Sequence, residues 1–145
     1  NAPGDVYTSG WGVSADYALP HNFTFSTSVY TDEIGSLPKG FISYFNTPLF
    51  RANFAINNSG FLFKNRLGFG ANLHYQDDFT YEGTFAVGKV NSYQTVDAVL
   101  TYKVPSIKSM IKAGGTNIFN RYYQTAFGSP SIGGLYYVSF AYNIL

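Results

Sequence analysis

Asp77, Asp78 and Glu82 form the densest carboxylate cluster in the chain, and oxygen ligands so close together could hold a hard cation at the base of a loop. Their spacing matches no cation-binding loop, so solvated loop acids are the competing reading. His74 could touch a ligand. With only His21 as a second histidine and no cysteine, however, the ligand set of a transition-metal site is missing, and a plain hydrogen bond suits His74 better. Tyr122, Tyr123 and Phe127 fall close together, where stacking on a ligand competes with ordinary loop packing. No Ser-His-Asp order, phosphate loop or paired buried carboxylates can be assembled. Neither catalysis nor a cofactor is therefore expected.

The elements that carry these residues are strands. Trp11, Val13, Ala15, Tyr17 and Leu19 alternate with small or polar residues, which sorts successive side chains onto two faces. Phe23, Phe25, Thr27 and Val29 do the same, as do Phe50, Ala52, Phe54 and Ile56. Leu67, Phe69, Ala71, Leu73 and Tyr75 give the cleanest alternation, followed by Val96, Ala98, Leu100, Tyr102 and Val104. A helix would scatter such residues around its circumference. A weaker strand is expected around Met110 to Phe119, softened by Gly114 and Gly115, and a last one pairs Tyr136, Val138, Phe140, Tyr142 and Ile144 against Tyr137, Ser139, Ala141 and Asn143.

Between these seven segments the connections alternate in length. Short ones contain Leu19-Pro20-His21-Asn22, Asn58-Ser59-Gly60 and Pro105 to Ser109, and long ones run from about Thr31 to Leu49, Asp77 to Ser92 and Asn120 to Gly134. Antiparallel strands of about ten residues, tight turns at one end and long loops at the other, predict an outer-membrane β-barrel wall. Charged residues make up 12% of the 145 and aromatics 19%, against about 25% charge in a soluble domain. Lys and Arg number 9 and Asp and Glu 8, so there is no basic surplus for nucleic acid. No run is long and apolar enough for a spanning helix.

Aromatic girdles should rim the outward band. Trp11, Tyr75, Tyr93 and Tyr136 fall toward the long-loop end, and Tyr17, Phe23, Phe63, Tyr102 and Tyr142 toward the turn end. The outward, lipid-facing set is then Trp11, Tyr17, Phe25, Phe54, Phe69, Tyr75, Tyr102, Tyr136, Phe140 and Tyr142. Asp5, Asp32, Glu33, Asp77, Asp78 and Glu82 sit at the loop end, whereas Lys64, Arg66, Lys103, Lys108 and Lys112 sit at the turn end. The loop acids could also meet cations bound by lipopolysaccharide. Arg51, Asn53, Asn72, His74, Gln76, Asp97, Thr101 and Lys103 take the lumen face in this phase. A one-residue slip would put Arg or Lys in lipid at about 2 to 4 kcal/mol.

Single-chain bacterial barrels have an even number of strands, and the expected count here is odd. The residues are therefore expected to be the last seven strands of a larger barrel, divided at an extracellular loop, since open edges in lipid would leave backbone groups unsatisfied.

At the C-terminus Gly115-Thr116-Asn117-Ile118-Phe119-Asn120-Arg121-Tyr122-Tyr123, then Phe127-Gly128-Ser129-Pro130-Ser131-Ile132-Gly133-Gly134-Leu135-Tyr136-Tyr137-Val138-Ser139-Phe140, resembles the last two strands of TonB-dependent outer-membrane receptors. Thr95-Val96-Asp97 looks like the family too, and Gly40 to Pro48 is similar to a loop-to-strand entry of its carboxypeptidase-regulatory-domain branch. The resemblance implies an all-β, transmembrane antiparallel barrel of about 22 strands filled by a plug, of which residues 1–145 are a C-terminal segment without the plug. It implies energised uptake of a scarce ligand across the outer membrane of a Gram-negative bacterium. The implied partners are the remaining barrel and plug, TonB through the plug segment, the bilayer and lipopolysaccharide, and a surface lipoprotein. The lumen residues become candidates for plug contacts. The family usually ends in Phe, whereas here Ile144 precedes Leu145, which weakens the assembly signal if Ile144 takes the outward place of that aromatic.

Two other readings stay open. One is a barrel serving as a structural or assembly component of an outer-membrane complex without import. The other is a soluble carbohydrate-binding β-sandwich, which would remain monodisperse without detergent.

Overall fold

The computed structural model describes residues 4–143. Asn1-Ala2-Pro3, Ile144 and Leu145 lie outside the described residues, and with them the expectation placed on Ile144.

Alternation becomes strand along most of the chain. Seven strands form one sheet in which every neighbour is antiparallel: β1 (Thr8–Leu19), β2 (Phe23–Ile34), β3 (Phe50–Leu62), β4 (Leu67–Gln76), β7 (Tyr93–Val104), β8 (Ser109–Thr116) and β9 (Leu135–Tyr142). A separate hairpin, β5 (Phe79–Glu82) and β6 (Val87–Val90), stands in the connection between β4 and β7. The stretch Asp77 to Ser92 is thus not a plain loop as its length suggested. Each hairpin strand has only four residues, too few for period-two alternation to stand out from loop sequence.

Register carries the expected faces through the whole sheet. Trp11 opposes Thr31, Val13 opposes Val29, and Tyr17 opposes Phe25; Thr27 opposes Phe54, which opposes Leu73, which opposes Val96. Phe69 opposes Leu100, Tyr102 opposes Ile111, and Ile111 opposes Phe140. Directly opposed residues lie on the same side of a pleated sheet, so the apolar sets of all seven strands share one face. Tyr93 departs from this. It opposes Gln76 and lies on the polar face, because Gln94, rather than Tyr93, is in phase with Val96.

One turn also moved. β3 runs through Asn58-Ser59-Gly60 to Leu62, and the reversal comes at Phe63 to Arg66. The register shifts between Asn58 and Leu62, as a β-bulge requires. Asn58 holds the bulge from within: its Oδ1 accepts the Gly60 N–H at 2.8 Å, and its Nδ2 donates to the His21 carbonyl at 2.9 Å. Asn22 Nδ2 in turn donates to the Gly60 carbonyl at 3.0 Å. A Cβ on Gly60 would meet the Asn65 carbonyl oxygen at 2.3 Å. The Asn-Ser-Gly run is therefore a clasp between two turns.

Between β7 and β8 the connection is a single turn of 3-10 helix, Pro105–Ile107, closed by Lys108 in the left-handed region. Short connections all lie at one edge of the sheet, and the segments 35–49, 77–92 and 117–134 lie at the other. The sheet is a single layer. Ala52 and Val90 are the only buried hydrophobic residues among those described, whereas Trp11, Phe54, Leu100, Val138 and Phe140 are exposed. A sandwich would bury one face beneath a second sheet, and no second sheet covers either face among the described residues. β1 pairs only with β2 and β9 only with β8, so the sheet is not closed. No described helix is long and apolar enough to cross a membrane, which leaves a β-barrel untouched as a possibility.

Candidate functional site

The antiparallel register lines up a polar row across four strands. Ser28 stands opposite Asn53, Asn53 opposite His74, and Asn72 opposite Asp97. Opposed side chains are about 4.5 to 5.5 Å apart at Cβ, close enough to bond. Asn53 Nδ2 donates to Ser28 Oγ at 3.2 Å, and His74 Nδ1 donates to Asn53 Oδ1. His74 Nε2 lies 2.9 Å from Asp97 Oδ2 and also 2.9 Å from Asn72 Nδ2. The other Asp97 oxygen accepts the backbone N–H of Asn117 at 2.8 Å.

Asn117 carries the row into the last long segment. It is buried and sits at φ 48, in the left-handed region that Asn tolerates better than most residues. Its side chain closes a ring on Arg121, donating to the Arg121 carbonyl at 2.7 Å and accepting its N–H at 3.0 Å. Asn120, at φ 51, accepts the Gly134 N–H at 2.8 Å. The Asn-Ile-Phe-Asn run thus fixes where this segment leaves and rejoins the sheet.

Of the eight residues assigned to the polar face, the structure joins Asn53, Asn72, His74 and Asp97. Arg51 pairs with Asp32 and lies 5.9 Å from the centre of the Tyr30 ring. Gln76 accepts from Tyr93 Oη at 3.3 Å, and Lys103 Nζ donates to the Ser59 carbonyl at 2.7 Å at the turn edge. Thr101 opposes Gly68 and Lys112 on the same face. Tyr30 and Asp32 were missed as partners. Their alternation within β2 puts them in phase with Arg51, and that signal was legible.

The carboxylate cluster does not assemble. Asp77 accepts from Tyr75 Oη at 2.6 Å, Asp78 pairs with Lys89 at 3.0 Å, and Glu82 turns to another segment altogether. Glu82 Oε2 accepts from Ser43 N at 3.0 Å, Ser43 Oγ at 2.8 Å and Tyr44 N at 2.8 Å. Asn46 completes the joint by donating to the Glu82 carbonyl and accepting its N–H. Among the described residues no group of three His, Cys, Asp or Glu could hold a metal ion.

The three aromatic candidates also separate. Tyr123 stacks on Tyr93 with ring centres 4.2 Å apart, and its backbone bridges Ile132. Phe127 lies over Gly88 of β6, where any Cβ would collide with its ring. Only Tyr122 stays mostly free, at 71% exposure. Segment 35–49, the hairpin and segment 117–134 are consequently linked into one platform at the loop edge. The nitrogen of His74 that a hydroxyl nucleophile would need, Nε2, is taken up by Asn72 and Asp97.

No protein-family model matches the chain, and no curated protein matches it.

Proposed function

We propose that this chain forms part of the wall and the extracellular loops of a TonB-dependent receptor in the outer membrane of a Gram-negative bacterium. The observation that carries the reading is an apolar face continuous over seven strands and covered by nothing among the described residues, including Trp11 at 57% and Phe140 at 61% exposure. Water would penalise so large an apolar surface, and hydrocarbon would not. The segregation of short turns from long segments supports the same reading. So does the polar row on the opposite face, which would then line the lumen and meet the plug.

β1 and β9 each present an unpaired edge, and each unsatisfied backbone group in lipid costs several kcal/mol. Further strands would close the wall. Import would then proceed by capture of a scarce ligand at the loop platform, followed by TonB-driven displacement of the plug through this fixed wall.

These 145 residues hold no cysteine, so the orientation can be tested with single cysteines placed among them, against the unsubstituted protein as the labelling background. Phe85, fully exposed in the β5–β6 hairpin, and Asn65, in the β3–β4 turn, are each replaced by cysteine in cells carrying the complete protein. A membrane-impermeant maleimide should label Phe85→Cys on intact cells and Asn65→Cys only after the outer membrane is broken. Recovery of the protein in the soluble fraction, or the reverse labelling, would overturn the reading. Denaturing mass spectrometry of the detergent-purified complex then tests the receptor assignment, which requires a plug-bearing companion or a longer chain.

A further inference from the structure

The apolar face is not level. Ala71, Ala98 and Gly115 stand opposite one another on β4, β7 and β8, while Phe69, Leu100 and Tyr136 rise around them. Together they leave a trough of about 420 Å³ with an almost wholly apolar lining. Toward the loop edge on the same face, Leu73 opposes Val96. There a second depression of about 160 Å³ is bordered by Gln94, Phe119 and Arg121. A third, of about 360 Å³, continues at the rim beside Tyr75, Ser92, Gln94 and Arg121. From Leu100 to Gln94 this path follows β7 for about 20 Å.

Arg121 stands at the end of that path, bordering both rim depressions. As with most basic residues among those described, no carboxylate lies within 4 Å of it, so its guanidinium is open to an anion. The ring that Asn117 closes on the Arg121 backbone holds the residue at the rim.

We propose that this path is a lipid site, in which Arg121 and Gln94 hold a phosphorylated headgroup while an acyl chain lies in the Ala71–Ala98–Gly115 trough. A guanidinium offers paired N–H donors matched to phosphate oxygens, and it is most effective where water is scarce. Charge complementarity selects an anionic head, and the apolar trough that leads away from it selects a lipid over a soluble anion. The trough spans three strands, about 10 Å, which suits one or two extended chains better than a second sheet. The inference rests on the membrane reading of the apolar face.

The test is native mass spectrometry of the detergent-purified outer-membrane complex containing this chain, titrated with bisphosphorylated lipid A and with the same lipid dephosphorylated. Wild-type protein should retain the phosphorylated form about tenfold better, and Arg121→Gln should remove that preference. Ala98→Leu, which fills the trough, should weaken both lipids alike, and inorganic phosphate should displace neither. Equal retention of the two lipids by wild-type protein, or unchanged preference in Arg121→Gln, overturns the site while leaving the membrane reading intact. Loss of a protein companion rather than lipid in Ala98→Leu would assign the trough to a protein and also overturn it. A complex that needs no detergent would remove the membrane reading first, and the lipid site with it.

Discussion

Asp97 stands between His74 and Asn117, with one carboxylate oxygen 2.9 Å from the imidazole Nε2 and the other accepting the Asn117 backbone N–H at 2.8 Å. One side chain thereby ties the row across β2, β3, β4 and β7 to the segment that departs from β8. Asp97→Ala should strand the backbone N–H of buried Asn117, at a cost of about 1 to 3 kcal/mol, while Asn72 still reaches the imidazole. Denaturant midpoints of the detergent-solubilised protein measure this, and Asp97→Asn, which can keep one acceptor, should lose less. Equal midpoints for wild type and Asp97→Ala would sink the assignment.

Neighbouring positions on β3 should respond oppositely to charge. Phe54 opposes Leu73 on the apolar face, and Ala55 opposes Asn72 on the other. Phe54→Lys should cost about 2 to 4 kcal/mol if that face meets lipid, and Ala55→Lys far less. The fraction of heat-modifiable, membrane-assembled protein reads the difference, and similar losses for both variants would contradict the phase.

Gly60 sits where a Cβ would collide with the Asn65 carbonyl. Gly60→Ala should force the β3–β4 turn apart and destabilise the protein by about 1 to 3 kcal/mol. Ser59→Ala, beside it, leaves the Asn58 and Asn22 bonds in place and serves as the control. The comparison of unfolding midpoints fails the clasp if the two variants match.

Glu82 gathers three donors from Ser43 and Tyr44. Glu82→Ala should release segment 35–49 from the hairpin and expose Lys39 to trypsin, with cleavage several times faster than in wild type. Glu82→Gln retains one acceptor oxygen and should fall between them. Time courses of limited proteolysis decide, and an unchanged rate at Lys39 in Glu82→Ala would mean that the joint does not hold the segment.

Alternation along the chain determined the seven strands of the sheet, their two faces and the separation of tight turns from long segments, because a period of two is a local property that any single strand displays. His74, Asn53, Asn72 and Asp97 could therefore be placed on one face from sequence. Their union into a single hydrogen-bonded row needed the register, which depends on pairing between distant segments. The bulge at Asn58-Ser59-Gly60 was decided by bonds from the β1–β2 turn, and a turn-forming tripeptide carries no mark of them. Glu82 likewise looked like a member of an acidic cluster until segment 35–49 supplied its donors. The place of Tyr93 on the polar face was legible in its phase relative to Val96, whereas the short β5–β6 hairpin belongs with the bulge and Glu82. Each is settled by what packs against a residue across space, and only the tertiary structure brings those partners together.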